Sequence, residues 1–156
     1  MLDGFANATE QLVGRAIGAR YRPAFDAAVR ISLFWSTLLS VLLFLLLMLV
    51  GPLLIDLLTT NLLVQAEART YLVWAALSSL FGVLAFQMDG VFIGATWSVD
   101  MRNMMLLSLL VYLLAWWYFM PIWGNHGLWL ALEVFLGIRG ISLLSRLKTR
   151  RRAAFV

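Results

Sequence analysis

Asp89 is the residue of this sequence best placed to do chemistry. It stands in Phe86-Gln87-Met88-Asp89-Gly90, inside an apolar stretch with no basic residue within one helical turn. A carboxyl so placed, unpaired and desolvated, favours its protonated form and could take up a proton near neutral pH. With further oxygens beside it, the same group could hold a small hard cation, a transient Na+ included. The competing reading is structural, an Asp satisfied by Ser, Thr or backbone groups in a helix contact. A second polar set lies near the start of the chain. Asp3, Asn7, Glu10 and Gly14 follow one another at i, i+4, i+7 and i+11, a spacing that lines one face of a helix. Leu2, Phe5, Leu12 and Ala16 fall on the other side. On a membrane helix such a stripe makes a cavity wall or a cation path. The alternative is an amphipathic helix lying on the membrane surface, although a surface helix favours Lys and Arg where this one carries Asp and Glu.

The remaining chemically capable residues are few. Glu133 and Arg139 stand in one apolar run but six residues apart, so they do not stack on one helix face. Glu133 is expected to meet another helix or an outer vestibule. Arg139 is expected to reach toward the basic end of its helix, with a transport role for either left open. His126, the only histidine, reads as a loop residue in a turn rather than a proton relay or metal ligand. Gly90 and Gly94 form a small-xxx-small pair of the kind that brings helices close, and Gly137 and Gly140 read the same way. No nucleophile-base pair, Walker loop, G-x-S-x-G or H-E-x-x-H pattern is present. The expectation is no enzyme, no catalytic residue, no cofactor and no resident metal.

These residues need elements to hold them, and composition says what kind. Of 156 residues, 63% are hydrophobic and 13% charged, whereas a soluble domain carries roughly a quarter charged residues. Too few charges remain to cover a water-soluble globule, so lipid is the solvent that suits this chain. The net charge of +4 does not point to nucleic acid, because the basic residues flank apolar runs as membrane anchors do. Arg146, Lys148, Arg150, Arg151 and Arg152 form a basic tail able to meet anionic headgroups. There is no cysteine, hence no disulfide framework or thiolate metal site. Asp3 and Glu10 interrupt what would be the apolar core of a signal peptide.

A spanning helix needs about twenty mainly apolar residues. Residues 31–55, 71–96, 104–122 and 128–144 meet that demand, and residues 2–19 form a fifth, weaker candidate. The predicted fold is an all-α polytopic bundle of about five spans, a single membrane domain over 1–156 with a basic tail at 145–156. Gly51-Pro52 falls near the far end of the first long span; Pro121 and Gly124-Asn125 close the third. Residues 20–30, Arg102 and the tail are basic, whereas 56–69 and 123–127 are poor in Lys and Arg. The positive-inside rule therefore places the C-terminus in the cytoplasm and the Met1 end outside. Trp116, Trp117, Tyr118 and Trp123 fall where an outer aromatic belt belongs. A chain starting outside, within a half-polar helix, reads as a piece of something longer.

Three stretches in order carry a resemblance. They are the run from Asp3-Gly4-Phe5-Ala6-Asn7-Ala8-Thr9-Glu10 to Arg20, then Met88-Asp89-Gly90-Val91-Phe92-Ile93-Gly94-Ala95-Thr96 with Met101-Arg102-Asn103, then Gly124-Asn125-His126-Gly127-Leu128-Trp129-Leu130-Ala131. Together they resemble the multidrug and toxic compound extrusion (MATE) family, in particular its DinF branch, over nearly the whole chain. The resemblance implies helices eight to twelve of a twelve-helix antiporter of the inner (plasma) membrane, the greater part of its second lobe. It implies export of cationic amphipathic compounds, drugs among them, in exchange for H+ or Na+, by rocking of two lobes about a central cavity. Asp89 matches an acidic position implicated in cation binding on the tenth helix of Na+-coupled members. The glutamate that partners it there, on helix seven, is absent from this sequence, as is the helix-one carboxylate of DinF-like members. Asp3 and Glu10 match DinF-type residues of helix eight. The implied partners are membrane lipid, the missing N-terminal lobe, the coupling ion and an organic cation. The alternative is a non-transporting remnant, or a membrane partner that supplies a lobe in trans.

Overall fold

A computed structural model describes residues 2–155, with side chains from residue 3 onward. The chain runs as five helices: α1 (Leu2–Gly18), α2 (Arg22–Leu58), α3 (Leu62–Gly94), α4 (Ser98–Trp123) and α5 (Asn125–Ala154). The described residues contain no strand. Helices α2 to α5 are each long and apolar enough to cross a membrane. The molecule is thus an all-α, multi-pass membrane bundle.

Its helices run well beyond the apolar segments. The 37 residues of α2 make a rod of about 55 Å, against a hydrocarbon core of roughly 30 Å. The helix starts with Pro23 in its first turn, where a missing N–H costs nothing. Residues 22–30, most of the stretch 20–30 read from sequence as a loop, form its first turns instead. Arg22, Asp26 and Arg30 follow one face at a spacing of four, while Phe25, Ala28 and Val29 turn inward. The helix then passes through Pro52 to Leu58. In the same way α4 passes Pro121 and stops two residues later at Trp123. The basic tail is no separate segment, since α5 stays helical to Ala154. His126, assigned from sequence to a loop, lies in the first turn of α5. Gly124 makes the α4–α5 break with φ +55°, a conformation open to glycine at little cost.

Successive helices alternate in direction, so α1, α3 and α5 are parallel. The α2–α3 hairpin is closed by residues 59–61. There the Asn61 side chain accepts from the Leu63 and Val64 N–H groups and caps α3. Small residues line the α2–α3 seam. Ser32, Ser36, Ser40, Ala76 and Ser79 are all buried, and Ser40 and Ser79 hydrogen-bond each other's carbonyls. Small side chains let membrane helices approach, and their hydroxyls find partners across the seam.

The apolar core gathers at the end where α1 and α3 stop and α2 starts. Val13, Ala16, Phe25, Ala28, Val29, Met88, Val91, Phe92, Ala95 and Leu143 form it. Trp97 closes it from the α3–α4 link, edge-on to Phe92 at 5.4 Å between centroids. The 17-residue α1 does not run the length of α3. Its Ala6 and Glu10 lie against Gly90 and Gly94, the last turns of α3, so α1 covers only that helix's inner part. The Met1 end, expected outside, lies beyond the described residues. The neighbouring Leu2 begins α1 partway along α3.

Candidate functional site

The close approach of α1 to α3 creates the site. A Cβ on Gly90 would fall within 3.0 Å of the Ala6 backbone, and one on Gly94 within 3.0 Å of the Glu10 backbone. No side chain fits at either place without prising the helices apart. Gly14 completes the contact from α1, 3.3 Å from the Gly94 carbonyl oxygen measured from its would-be Cβ. At the same level Thr9 and Gln87 are buried between the two helices, 2.8 Å apart. This seam fixes the rotation of α1. Its Asp3-Asn7-Glu10 face comes to lie beside Asp89.

Asp3, Asn7 and Glu10 of α1, with Phe86, Asp89 and Ile93 of α3, line a cleft of about 230 Å³. The structure therefore brings together four polar residues that lie up to 86 positions apart in sequence. Asp3 and Asn7 are exposed, and Glu10 and Asp89 are partly buried. These carboxyls do not form a metal-ligating cluster among the described residues.

Asp89 itself is paired, contrary to the expectation of an isolated carboxyl. Arg139 reaches across from α5 and grips it with both ends of its fork. Its Nε lies 3.2 Å from Oδ1 and one terminal nitrogen 2.8 Å from Oδ2. Both side chains are mostly buried, at 15% and 17% exposure. Two-point contact of this kind is the strong geometry for guanidinium and carboxylate. Both oxygens of Asp89 thus face a cation in this structure. Arg139 runs across the bundle to Asp89 rather than along its own helix to the basic end. Sequence held one signal for this pair. Each residue lies several positions before the inner end of its span, so the two occupy similar depth, and a buried arginine needs an acid at its own level.

Glu133 lies on the same α3–α5 seam, nearer the other end. It is 3% exposed and meets Ser78 of α3, with Oε1 and the serine hydroxyl 2.6 Å apart. One turn beyond, the Trp74 indole N–H donates to His126 Nδ1 at 2.9 Å, and Tyr71 stacks with Trp129. Neither Ser78 nor Trp74 was singled out from sequence, since a lone Ser or Trp in an apolar helix carries no pattern. Of the other glycines, Gly140 is tight against Leu84 and Ala85 of α3, whereas Gly137 has only Phe81 at 3.8 Å.

The MatE family model matches residues 1–120 of the chain. The chain belongs to the MATE family. It is 39% identical over 142 residues to DNA damage-inducible protein F of Escherichia coli (strain K12). That match covers 91% of this chain and 31% of the relative, so the chain spans about a third of that protein's length. No significant match to a solved structure was found.

Proposed function

We propose that this chain forms the greater part of the second lobe of a MATE-type antiporter, its five helices corresponding to helices eight to twelve. The cleft of Asp3, Asn7, Glu10 and Asp89 carries this reading. Its α1 face is exposed in a chain whose other long helices offer leucine to their surroundings. A polar face on a membrane helix borders water or a wet cavity. In the proposed assembly that cavity lies between this lobe and an N-terminal lobe, supplied in the same chain or by another. The transported compound is a cationic amphipath, attracted by the carboxyls and accommodated by Phe86 and Ile93. It competes with Arg139 for Asp89, and exchange of H+ or Na+ resets the site. A Na+ ion takes its place at Asp89 once Arg139 has withdrawn.

The charge pattern supports an inner-membrane orientation with the C-terminus in the cytoplasm. Asp26 of α2 meets Arg151 of α5 at 3.0 Å, and Asp100 of α4 pairs with Arg150. The basic ends of α2, α4 and α5 thus lie together, as the positive-inside rule requires of one cytoplasmic face.

Drug-dependent H+ or Na+ flux in proteoliposomes tests the reading. Asp89→Asn is expected to lower coupled flux by roughly tenfold or more, about 1.4 kcal/mol. Undiminished coupled flux would remove Asp89 from the mechanism. A second reading, in which this chain is a remnant or supplies a lobe in trans, has its own test. Co-purification with a separate first-lobe chain supports assembly in trans; a monodisperse product with no partner and no flux supports the remnant.

A further inference from the structure

Glu133 is not among the residues lining the acidic cleft, and its surroundings differ in kind. Its Oε1 meets the Ser78 hydroxyl, while Oε2 is buried without a hydrogen-bond partner. No Lys, Arg or His forms an ion pair with it among the described residues. The titratable groups of the helices packed on α5 are engaged elsewhere, lie toward the ends or, like Tyr112 beside Phe135, make no hydrogen bond to Glu133. On α3 these are Glu67, Arg69 and Tyr71 toward one end and Asp89, held by Arg139, toward the other. On α4 they are Asp100, Arg102, Tyr112 and Tyr118, none of which bonds to Glu133. On α5 itself His126 is taken by Trp74 and Arg139 by Asp89. A lone carboxylate there would be an unpaired charge in an apolar seam, which costs several kcal/mol unless it is neutralised.

Among the described residues, the Ser78 hydroxyl is the one group that hydrogen-bonds this carboxyl. Its Oγ lies 3.0 Å from the Trp74 carbonyl oxygen as well as 2.6 Å from Glu133 Oε1. A hydroxyl has one proton to donate and lone pairs to accept with. Donation to the carbonyl one turn back is the usual habit of Ser in a helix. Ser78 Oγ is within donating distance of both oxygens but has one proton; when that proton goes to the Trp74 carbonyl, the hydrogen between Ser78 and Glu133 comes from the carboxyl.

We infer that Glu133 is a proton-binding site of this bundle, a carboxylic acid that donates to Ser78 Oγ while Ser78 donates to the Trp74 carbonyl. When the proton leaves to water, a carboxylate remains, and the Ser78 hydroxyl turns from the carbonyl to Oε1. The protonation of α5 is in this way coupled to a backbone hydrogen bond of α3. The exposed Trp74–His126 contact lies one turn away on the same seam. This inference concerns protonation alone and stands apart from whether the chain transports.

Infrared spectroscopy of the protein in lipid nanodiscs tests it. The carbonyl stretch of a protonated carboxylic acid is expected at neutral pH, shifted in D2O, and lost in Glu133→Gln. Absence of that band from the wild-type-minus-variant difference overturns the proposal, as does a band that ignores D2O. Ser78→Ala gives an independent reading, because it keeps the acid but removes its acceptor. The band is expected to persist at higher frequency; an unmoved band overturns the assigned hydrogen bond. Neither readout depends on flux, so failure here is distinguishable from failure of the transport reading.

Discussion

Two carboxyl groups share the α3–α5 seam, and the bundle treats them differently. Asp89 faces a fixed cation that grips both of its oxygens and stands at the wall of a polar cleft. Glu133 faces a hydroxyl and is nearly sealed, with one oxygen left unmet. The first has its charge balanced by another side chain. The second has no such partner, and on the inference above carries its own proton. The difference shows two ways to keep an acid within a lipid-embedded bundle. One leaves a charged pair that an incoming cation can enter; the other leaves a neutral acid.

The largest expected effect comes from breaking the ion pair on one side only. Arg139→Ala leaves a mostly buried carboxylate uncompensated and is expected to destabilise the bundle by about 3 kcal/mol. Adding Asp89→Asn should recover most of that loss, because the stranded charge is gone. Unfolding in mixed micelles, followed by helicity, measures both, and simple additivity of the two changes would break the comparison by showing the pair uncoupled.

A smaller effect tests what holds the cleft together. Gly94→Ala drives a Cβ into the Glu10 backbone and is expected to cost about 2 kcal/mol. Gly137→Ala meets only ordinary contact with Phe81 and should be neutral or stabilising by up to about 1 kcal/mol through helix propensity. The same unfolding assay ranks them; equal costs would deny that α1 is seated by the glycines. The smallest change concerns Glu133. Ser78→Ala removes one neutral hydrogen bond and is expected to cost about 1 kcal/mol. A loss as large as that of Arg139→Ala would mean that Glu133 is ionised and the contrast between the two acids false.

Much of the fold was legible because lipid imposes so simple a rule. Runs such as residues 41–50, wholly apolar, declare a span regardless of neighbours; three of the four long spans fall inside long helices, and the fourth, 71–96, overruns the end of α3 at Gly94 by two residues. Helix ends were less legible. Arg22, Asp26 and Arg30 look like loop charges until their spacing is read as one face of α2, and Pro52 and Pro121 look like stops although a helix near its end passes them. The acidic stripe of α1 was visible as a stripe, but not its depth. That depends on which glycines of α3 it meets.

The site shows where sequence stops. Residue types and spacing alone determined an all-α membrane chain, the acidic face of α1 and the odd position of Asp89, because hydrophobic cost and helical period act locally along the chain. Only tertiary structure decided that Arg139 faces Asp89, that Ser78 faces Glu133, and that α1 sits beside the inner turns of α3. Each of those depends on the rotation and height of one rod against another, which are fixed by close packing at residues such as Gly90 and Gly94 far away in sequence.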